Sequence, residues 1–354
     1  MKRIWLLGMY DLSNYGDCLF PFVFSHELKG LEIQLNCVSL TGNPSIFKDA
    51  LPSFSLNYAK ELIGPDDTLV IGGGNLICDT PLTFFEDKQS PYDAMMLGTD
   101  LWLRGLEIAK EIGCKTIVNG AGAFAPLKKT TLERWNKVRT SINYIAWRDI
   151  STWKIMGACT ADRVIPDTTI TKTLSSLFKE DDKIAKNGKH ILVNLRPRSL
   201  SGIELRDAAN LLDQLSSTWQ LPLFFHSNSH SHLDHQVSKR LASYCKNKKA
   251  KIEKAKTIYG SFRSISKAEL VLTSSMHTYI TAASAECQVI LLKRPRYNKF
   301  LSVEQALDQP GFTTSSWSAL QILTANDERT KCRMKSNSPE LEKHWDIVKQ
   351  VIFS

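Results

Sequence analysis

Residues 268–292, AELVLTSSMHTYITAASAECQVILL, pass from an apolar run of β type (Leu270–Leu272) through three hydroxyl residues into a small, apolar helix over Thr278–Ala285 and on to a second apolar run, Val289–Leu292. A strand, a short turn, a helix and another strand in that order leave few architectures open. Thr273, Ser274 and Ser275 are all good N-cap residues. His277 then falls in the first turn of the helix, where free backbone N–H groups and the helix dipole suit an anion. In an open α/β sheet this carboxyl end of a strand is where ligands bind. Position alone leaves His277 balanced between a functional group and a satisfied histidine near a helix start.

The same alternation runs through the whole chain. Strands are expected at Arg3–Met9, Ile33–Val38, Thr68–Ile71, Lys115–Asn119, Tyr144–Trp147 and Val164–Ile165, then again at His190–Leu195 and Leu221–Phe225. Helices follow them, among them Asp100–Ile112 closed by Gly113, Thr131–Ser141, Ile150–Met156, Leu205–Ser216, Ser264–Ala268 and Glu340–Phe353. Continuously apolar strands between helices argue an α/β fold with parallel sheets covered on both faces. The expected division is an N-terminal Rossmann-like domain over residues 1–175, a linker over 176–189, a second such domain over 190–335 and a C-terminal helix over 336–354. Charge rises and strand signals vanish at the linker. Two such domains leave a cleft between their strand ends. Two glycine-rich segments, GGGNLICD (72–79) and GAGAFAP (120–126), read as loops where backbone approaches a ligand or another loop. The first lacks the spacing of a dinucleotide fingerprint, so NAD is not inferred.

A net charge of +9 suits an anionic partner. No compact block of Lys and Arg interleaved with aromatics appears, so nucleic acid is not expected. The basic run Lys246–Lys256 reads as a solvated helix face or loop. The basic balance fits peripheral contact with an anionic membrane face. No apolar stretch reaches the ~18 residues of a membrane span. Eight cysteines without a C-x-x-C pair indicate reduced, cytoplasmic usage. Asp11 and Asp17 interrupt the apolar N-terminus, which reads as a first buried strand rather than a leader.

Cations follow strands directly at Arg148, Arg196 and Arg198, with a further group at residues 293–299 that holds Lys293, Arg294, Arg296 and Lys299. Guanidinium and ammonium groups at a strand-end cleft suit phosphate and carboxylate. Histidines 226, 230, 232 and 235 cluster around Asp234, but their spacing matches no zinc pattern, and a polar loop opening a helix is the better reading. No metal is expected. Ser274 and Ser275 beside His277 do not form the G-x-S-x-G elbow of a hydrolase.

Taken in order, SNYGD (13–17), GGGNLICD (72–79), WRDIST (147–152), PDTT (166–169), LTSSMH (272–277) and YNK (297–299) resemble the motifs of the polysaccharide pyruvyl transferase family. Many members carry Arg two residues before the histidine, where this chain has Ser275. The resemblance implies two Rossmann-like domains facing a cleft, as in glycosyltransferase-B-like enzymes. The first would serve the acceptor and part of the donor site, and the second the donor phosphate. It further implies transfer of pyruvate from phosphoenolpyruvate, as donor substrate and with no cofactor, to a sugar of an exopolysaccharide precursor or lipid-linked saccharide. By the same resemblance His277 and Asp17 are the catalytic candidates. Arg148, Lys299, Asn14, Gly16, Gly73, Gly74, Ser274, Ser275, Arg196 and Arg296 are the binding candidates. A nucleotide-sugar glycosyltransferase on the same fold and a non-catalytic carbohydrate- or phosphate-binding protein are the alternatives.

Overall fold

The computed structural model describes residues 1–12, 14–85, 95–123, 125–171, 174–178, 190–229, 233–246, 250–294, 298–320, 332–334 and 338–354. The first lobe opens with β1 (Lys2–Leu7), α1 (Tyr15–Glu27), β2 (Ile33–Ser39), β3 (Ser53–Ser55), α2 (Leu56–Leu62), β4 (Thr68–Ile71) and β5 (Gly74–Ile77). It continues with α3 (Trp102–Ile112), β6 (Lys115–Ala123), α4 (Lys129–Arg139), β7 (Tyr144–Trp147), α5 (Ile150–Ile155) and β8 (Arg163–Val164). Its strands line up as β3-β2-β1-β4-β6-β7-β8, with β5 paired to β6, and the pairings are parallel. A short helix, α6 (Leu174–Leu177), leads toward the second lobe.

The second lobe holds β9 (Ile191–Asn194), α7 (Leu205–Trp219), β10 (Leu223–Ser227), α8 (Asp234–Tyr244), β11 (Lys251–Lys254), α9 (Ile258–Ser266), β12 (Leu270–Thr273), α10 (Met276–Ser284) and β13 (Gln288–Leu292). Next come α11 (Asn298–Gln305), β14 (Leu307–Pro310), β15 (Phe312–Thr314), β16 (Cys332–Met334) and α12 (Pro339–Phe353). Its main sheet runs β11-β10-β9-β12-β13-β15, again parallel, while β14 and β16 form a small antiparallel pair. The chain is therefore two parallel-sheet α/β domains.

Strand periodicity distributes the core. Ile4 and Leu6 of β1 face one apolar cluster, while Trp5 and Leu7 face another. In β12, Val271 joins the first of these clusters, and Leu270 and Leu272 join a third. The shared cluster gathers α1 and α12 with α9 and α10, so the two lobes meet through a continuous apolar core rather than only across a gap. Polar ties reinforce the contact: Tyr15 N donates to the Asn228 carbonyl at 2.9 Å, and the Tyr15 and Thr281 hydroxyls lie 2.9 Å apart. Asp49 of the first lobe caps α9 by accepting from the Ile258 and Tyr259 amides at 2.7 and 2.9 Å.

Four local expectations need correction. Residues 120–123 are not a free loop, because β6 runs on to Ala123, with a register shift between Asn119 and Ala121 and Gly120 at φ +65°. Residues 74–77 form β5 against that extension. Within the basic run, Lys251–Lys254 is an edge strand, exposed throughout, where alternating charge blunts an open edge. The helix before β12 spans Ile258–Ser266 rather than starting at Ser264, because Thr257 caps it through the Gly260 amide. Among the described residues Cys18, Cys37, Cys78, Cys114 and Cys287 are buried and act as small apolar groups; burial pushes the Cys18 and Cys37 thiols up to about 12. Among the described residues no helix is long and apolar enough to cross a membrane.

Candidate active site

The carboxyl ends of β7, β8 and β12 bring three ionisable side chains together from two lobes. Arg148 follows β7 and is 1% exposed; Asp167 follows β8 and is fully buried; His277 lies in the first turn of α10. The outer oxygen of Asp167 is 3.6 Å from Arg148 Nη1 and 3.8 Å from His277 Nε2. Its other oxygen accepts from the Thr169 amide at 3.0 Å and the Thr169 hydroxyl at 2.6 Å, which closes the turn after β8. Arg148 Nη2 also donates to Asn75 Oδ1, and its Nε stands 3.7 Å from Asp149. Asp149 in turn caps α5 by accepting from Thr152 N at 2.7 Å. A buried guanidinium between two carboxylates is compensated in charge, as burial requires.

His277 is held by shape as well as charge. The Phe20 ring meets it edge-on at 5.5 Å, and a side chain at Gly16 would overlap the imidazole. Gly16 sits in the first turn of α1, where Asn14 accepts from its amide at 3.3 Å. Glycine is therefore required here to let a ring from the other lobe rest on the helix start. Gly16→Ala should destabilise the protein by about 1–3 kcal/mol, the range for overpacking, and displace the ring. Unfolding measurements and turnover check this: a variant with native stability and native rate would show that the ring is not seated on Gly16.

The second lobe contributes a polar network at its own strand ends. Asn194, at the end of β9, donates to the His226 carbonyl at 3.0 Å and to Asp234 at 3.3 Å, and accepts from Thr278 at 2.9 Å. Burial pushes the Asp234 carboxyl up to about 6, against the opposing pull of Arg196 and Asn194. Arg196 donates its amide to Ser274 Oγ at 2.9 Å and a guanidinium N–H to Ser275 Oγ at 3.4 Å. Ser275 occupies the N-cap of α10 but makes no side-chain cap bond. A cation from the neighbouring strand thus reaches the start of the helix that carries His277.

The sequence profile of polysaccharide pyruvyl transferases matches residues 13–294, well over half of the chain. The chain belongs to the polysaccharide pyruvyl transferase family. It is a transferase family, and the match takes in each residue of the site just described. No curated protein matches the chain significantly. Solved structures resemble the fold of this family member at low identity. A UDP-GlcNAc 2-epimerase from Methanocaldococcus jannaschii, in complex with UDP-GlcNAc and UDP, has 14% identity and a TM-score of 0.60 over the whole of both chains. The S. aureus MnaA–UDP structure has 13% identity and a TM-score of 0.61 over 100% of this chain and 98% of that one. The Neisseria meningitidis UDP-GlcNAc 2-epimerase bound to UDP-GlcNAc has 13% identity and a TM-score of 0.55, with both chains covered in full.

Two further segments carrying motifs of the pyruvyl transferase family, at residues 14–17 and 72–79, fall around the same centre. Asp17 is half-buried in the first turn of α1 and accepts from Asn14 Nδ2 at 2.6 Å. Gly73 leaves room for the Phe20 ring, and Gly74, at φ +89°, lies under Asp17. A cavity of about 560 Å³ opens beside Arg148, lined by Ser151 and Lys154 of α5, by residues 164–166, by Leu301 and Gln305 of α11 and by the start of α12. Both lobes therefore wall it, and its volume is that of an ordinary ligand pocket.

Several sequence candidates lie elsewhere or outside the described residues. Arg296 lies outside them, as do His230 and His232. Of Lys299 only the backbone, in α11, is described. Lys293 is paired with Glu304 at 2.9 Å, Arg294 faces the Ser315 carbonyl at 3.4 Å, and Arg198 is exposed. The strand-end cations are thus not one cluster: Arg148 and Arg196 belong to the site, while Lys293 is engaged by a carboxylate. His226 is buried with Nδ1 3.6 Å from Glu253, on the β10–β11 edge. Among the described residues no group of three His, Cys, Asp or Glu could hold a metal ion. Asp167, Asn75 and Asn194 were not singled out as site residues. The PDTT and GGGNLICD segments that contain Asp167 and Asn75 enter through the family resemblance, and the fold shows what their side chains meet.

Proposed function

We propose that the protein transfers pyruvate from phosphoenolpyruvate to two hydroxyls of a saccharide, forming a cyclic ketal. The observation that carries this reading is an imidazole seated between two lobes of a pyruvyl transferase family member, 3.8 Å from an aspartate that also meets a buried guanidinium. Phosphoenolpyruvate is small and carries a phosphate and a carboxylate. Lys154 supplies positive charge at the cavity next to Arg148, and Arg196 with Ser274 and Ser275 supplies it at the start of α10.

In this reading His277 protonates the enol methylene, making an oxocarbenium-like centre at the adjacent carbon. A sugar hydroxyl adds there and gives up its proton, with Asp17 as candidate base. A second hydroxyl then displaces phosphate and closes the ring. Of the two hydroxyl protons, one replaces the proton given to the methylene and the other leaves with phosphate. The net charge of +9 suits a protein visiting an anionic cytoplasmic membrane face, where a lipid-linked acceptor would lie.

The nucleotide-sugar alternative draws on the UDP and UDP-GlcNAc bound in the fold's structural neighbours. Calorimetry separates the two. Phosphoenolpyruvate should bind and uridine diphosphate should not, and phosphate release should require a glycan acceptor. Arg148→Met should weaken donor binding about tenfold or more, since hydrogen bonds to charged groups contribute about 1.5–3 kcal/mol. Binding of uridine diphosphate alone would overturn the proposal, and binding of phosphoenolpyruvate without turnover would indicate a silent binding protein.

A further inference from the structure

We propose that Asp167 is the positioning residue for His277: its carboxylate, buried in the turn after β8, orients the imidazole across the lobe boundary and favours its proton-carrying form. This rests on reading His277 as the proton donor.

The two oxygens of Asp167 are used differently. One closes its own turn through Thr169, a task that an asparagine would perform equally well. The other points across the boundary to His277 at 3.8 Å and Arg148 at 3.6 Å. A full negative charge with no exposed surface is costly unless cationic partners compensate it. Arg148 is one such partner, but it also has Asp149 at 3.7 Å. The guanidinium is thus shared between two carboxylates, and an imidazolium would complete the balance of charge. The geometry also explains why the turn contacts Nε2. Gly16 and Phe20 fix the ring from the opposite side, so Asp167 meets the ring edge that they leave.

The charged groups near this centre are Asp17 in α1, Arg148 and Asp149 at the end of β7, and Arg196, whose guanidinium reaches Ser275 at the start of α10. Asp167 stands at an ion-pair distance from His277, 3.8 Å from its Nε2.

The test is the titration of the His277 ring by imidazole ¹⁵N NMR in the whole, ligand-free protein, the signal being assigned by its loss in His277→Gln. In Asp167→Asn the midpoint should fall by about one pH unit or more, because an opposite charge within ~4–6 Å shifts a titration by one to three units. The pH–rate profile should move with it. Should Asp167→Asn fail to fold for want of a partner for Arg148, the comparison is made between Arg148→Met and Asp167→Asn/Arg148→Met, where no guanidinium is left unbalanced. A midpoint unchanged within a few tenths of a unit overturns the proposal in either background. The NMR result does not depend on the donor. A shifted ring in a protein that ignores phosphoenolpyruvate would uphold the positioning role and sink the proposed reaction; turnover with an unshifted ring would do the reverse.

Discussion

If the protein transfers pyruvate as proposed, replacing His277 by alanine should lower the rate by about 10²–10⁴, the usual cost of removing a general acid or base. The loss should appear in kcat more than in donor binding. The cations assigned to the donor, Arg148 and Arg196, reach their places without His277: Arg148 through Asn75 and the two aspartates, Arg196 through Ser274 and Ser275. The fold should persist as well. Helix α10 is fixed by Tyr279 and Ile280 in the shared core and by the Tyr279 hydroxyl donating to the Pro310 carbonyl at 2.7 Å. His277→Gln is the informative companion. It retains a polar side chain of similar reach but cannot carry a proton near neutral pH, so it should be as slow as alanine if proton transfer is the task. A glutamine variant near native rate would assign the histidine to a phosphate contact instead. Near-native turnover in both variants would remove His277 from the mechanism.

The architecture was legible because parallel strands buried on both faces write their periodicity in a simple form. Leu270–Thr273 and Gln288–Leu292 lie within a residue or so of where apolar runs placed them. Short pieces were not legible. Strand β3 has three residues, half or more polar, and pairs only at its edge with β2. Strand β5 begins at a glycine whose extended neighbours are stabilised by β6, not by their own propensity. At the site, the position of His277 was readable from N-cap chemistry, but its surroundings were not. Gly16, Asp167 and His277 are far apart in sequence and come together only when the lobes pack. The same limit explains Lys293, whose sequence neighbours are cations while its spatial partner, Glu304, comes from the next helix. Ser275 shows the limit from the other side. The residue that supplies positive charge next to it, Arg196, belongs to a different strand.

Acid should destabilise the first lobe through His344, a residue far from the proposed chemistry. Helix α12 returns from the second lobe and lays Leu341, Trp345, Val348 and Ile352 into the core beside β1 and α1, with Trp345 meeting Phe24 at 5.7 Å. His344 lies fully buried against the sheet, its Nε2 2.7 Å from Asn119 Oδ1 and its Nδ1 2.9 Å from the Tyr144 hydroxyl. A neutral ring satisfies both: one nitrogen donates to the amide oxygen and the other accepts from the phenol. Burial, with a smaller contribution from the Arg163 charge, depresses its pKa from 6.5 to about 3. The sign follows from linkage. Below pH 6.5 the unfolded chain takes up a proton that the folded ring refuses, so stability is complete above that pH and declines as pH falls toward 3. At 1.36 kcal/mol per unit, the full loss approaches about 5 kcal/mol, and about 2 kcal/mol of it is already gone at pH 5. His344→Gln removes the titration while keeping one hydrogen bond, at a fixed cost of about 1–3 kcal/mol for the partner left unmade. The unfolding free energies of the two proteins should therefore differ most at pH 7 and converge as pH drops through 6.5 toward 5. A separation that stays constant over that range would show that the ring is protonated in the folded protein, or open to water, and that α12 is not held by a neutral histidine.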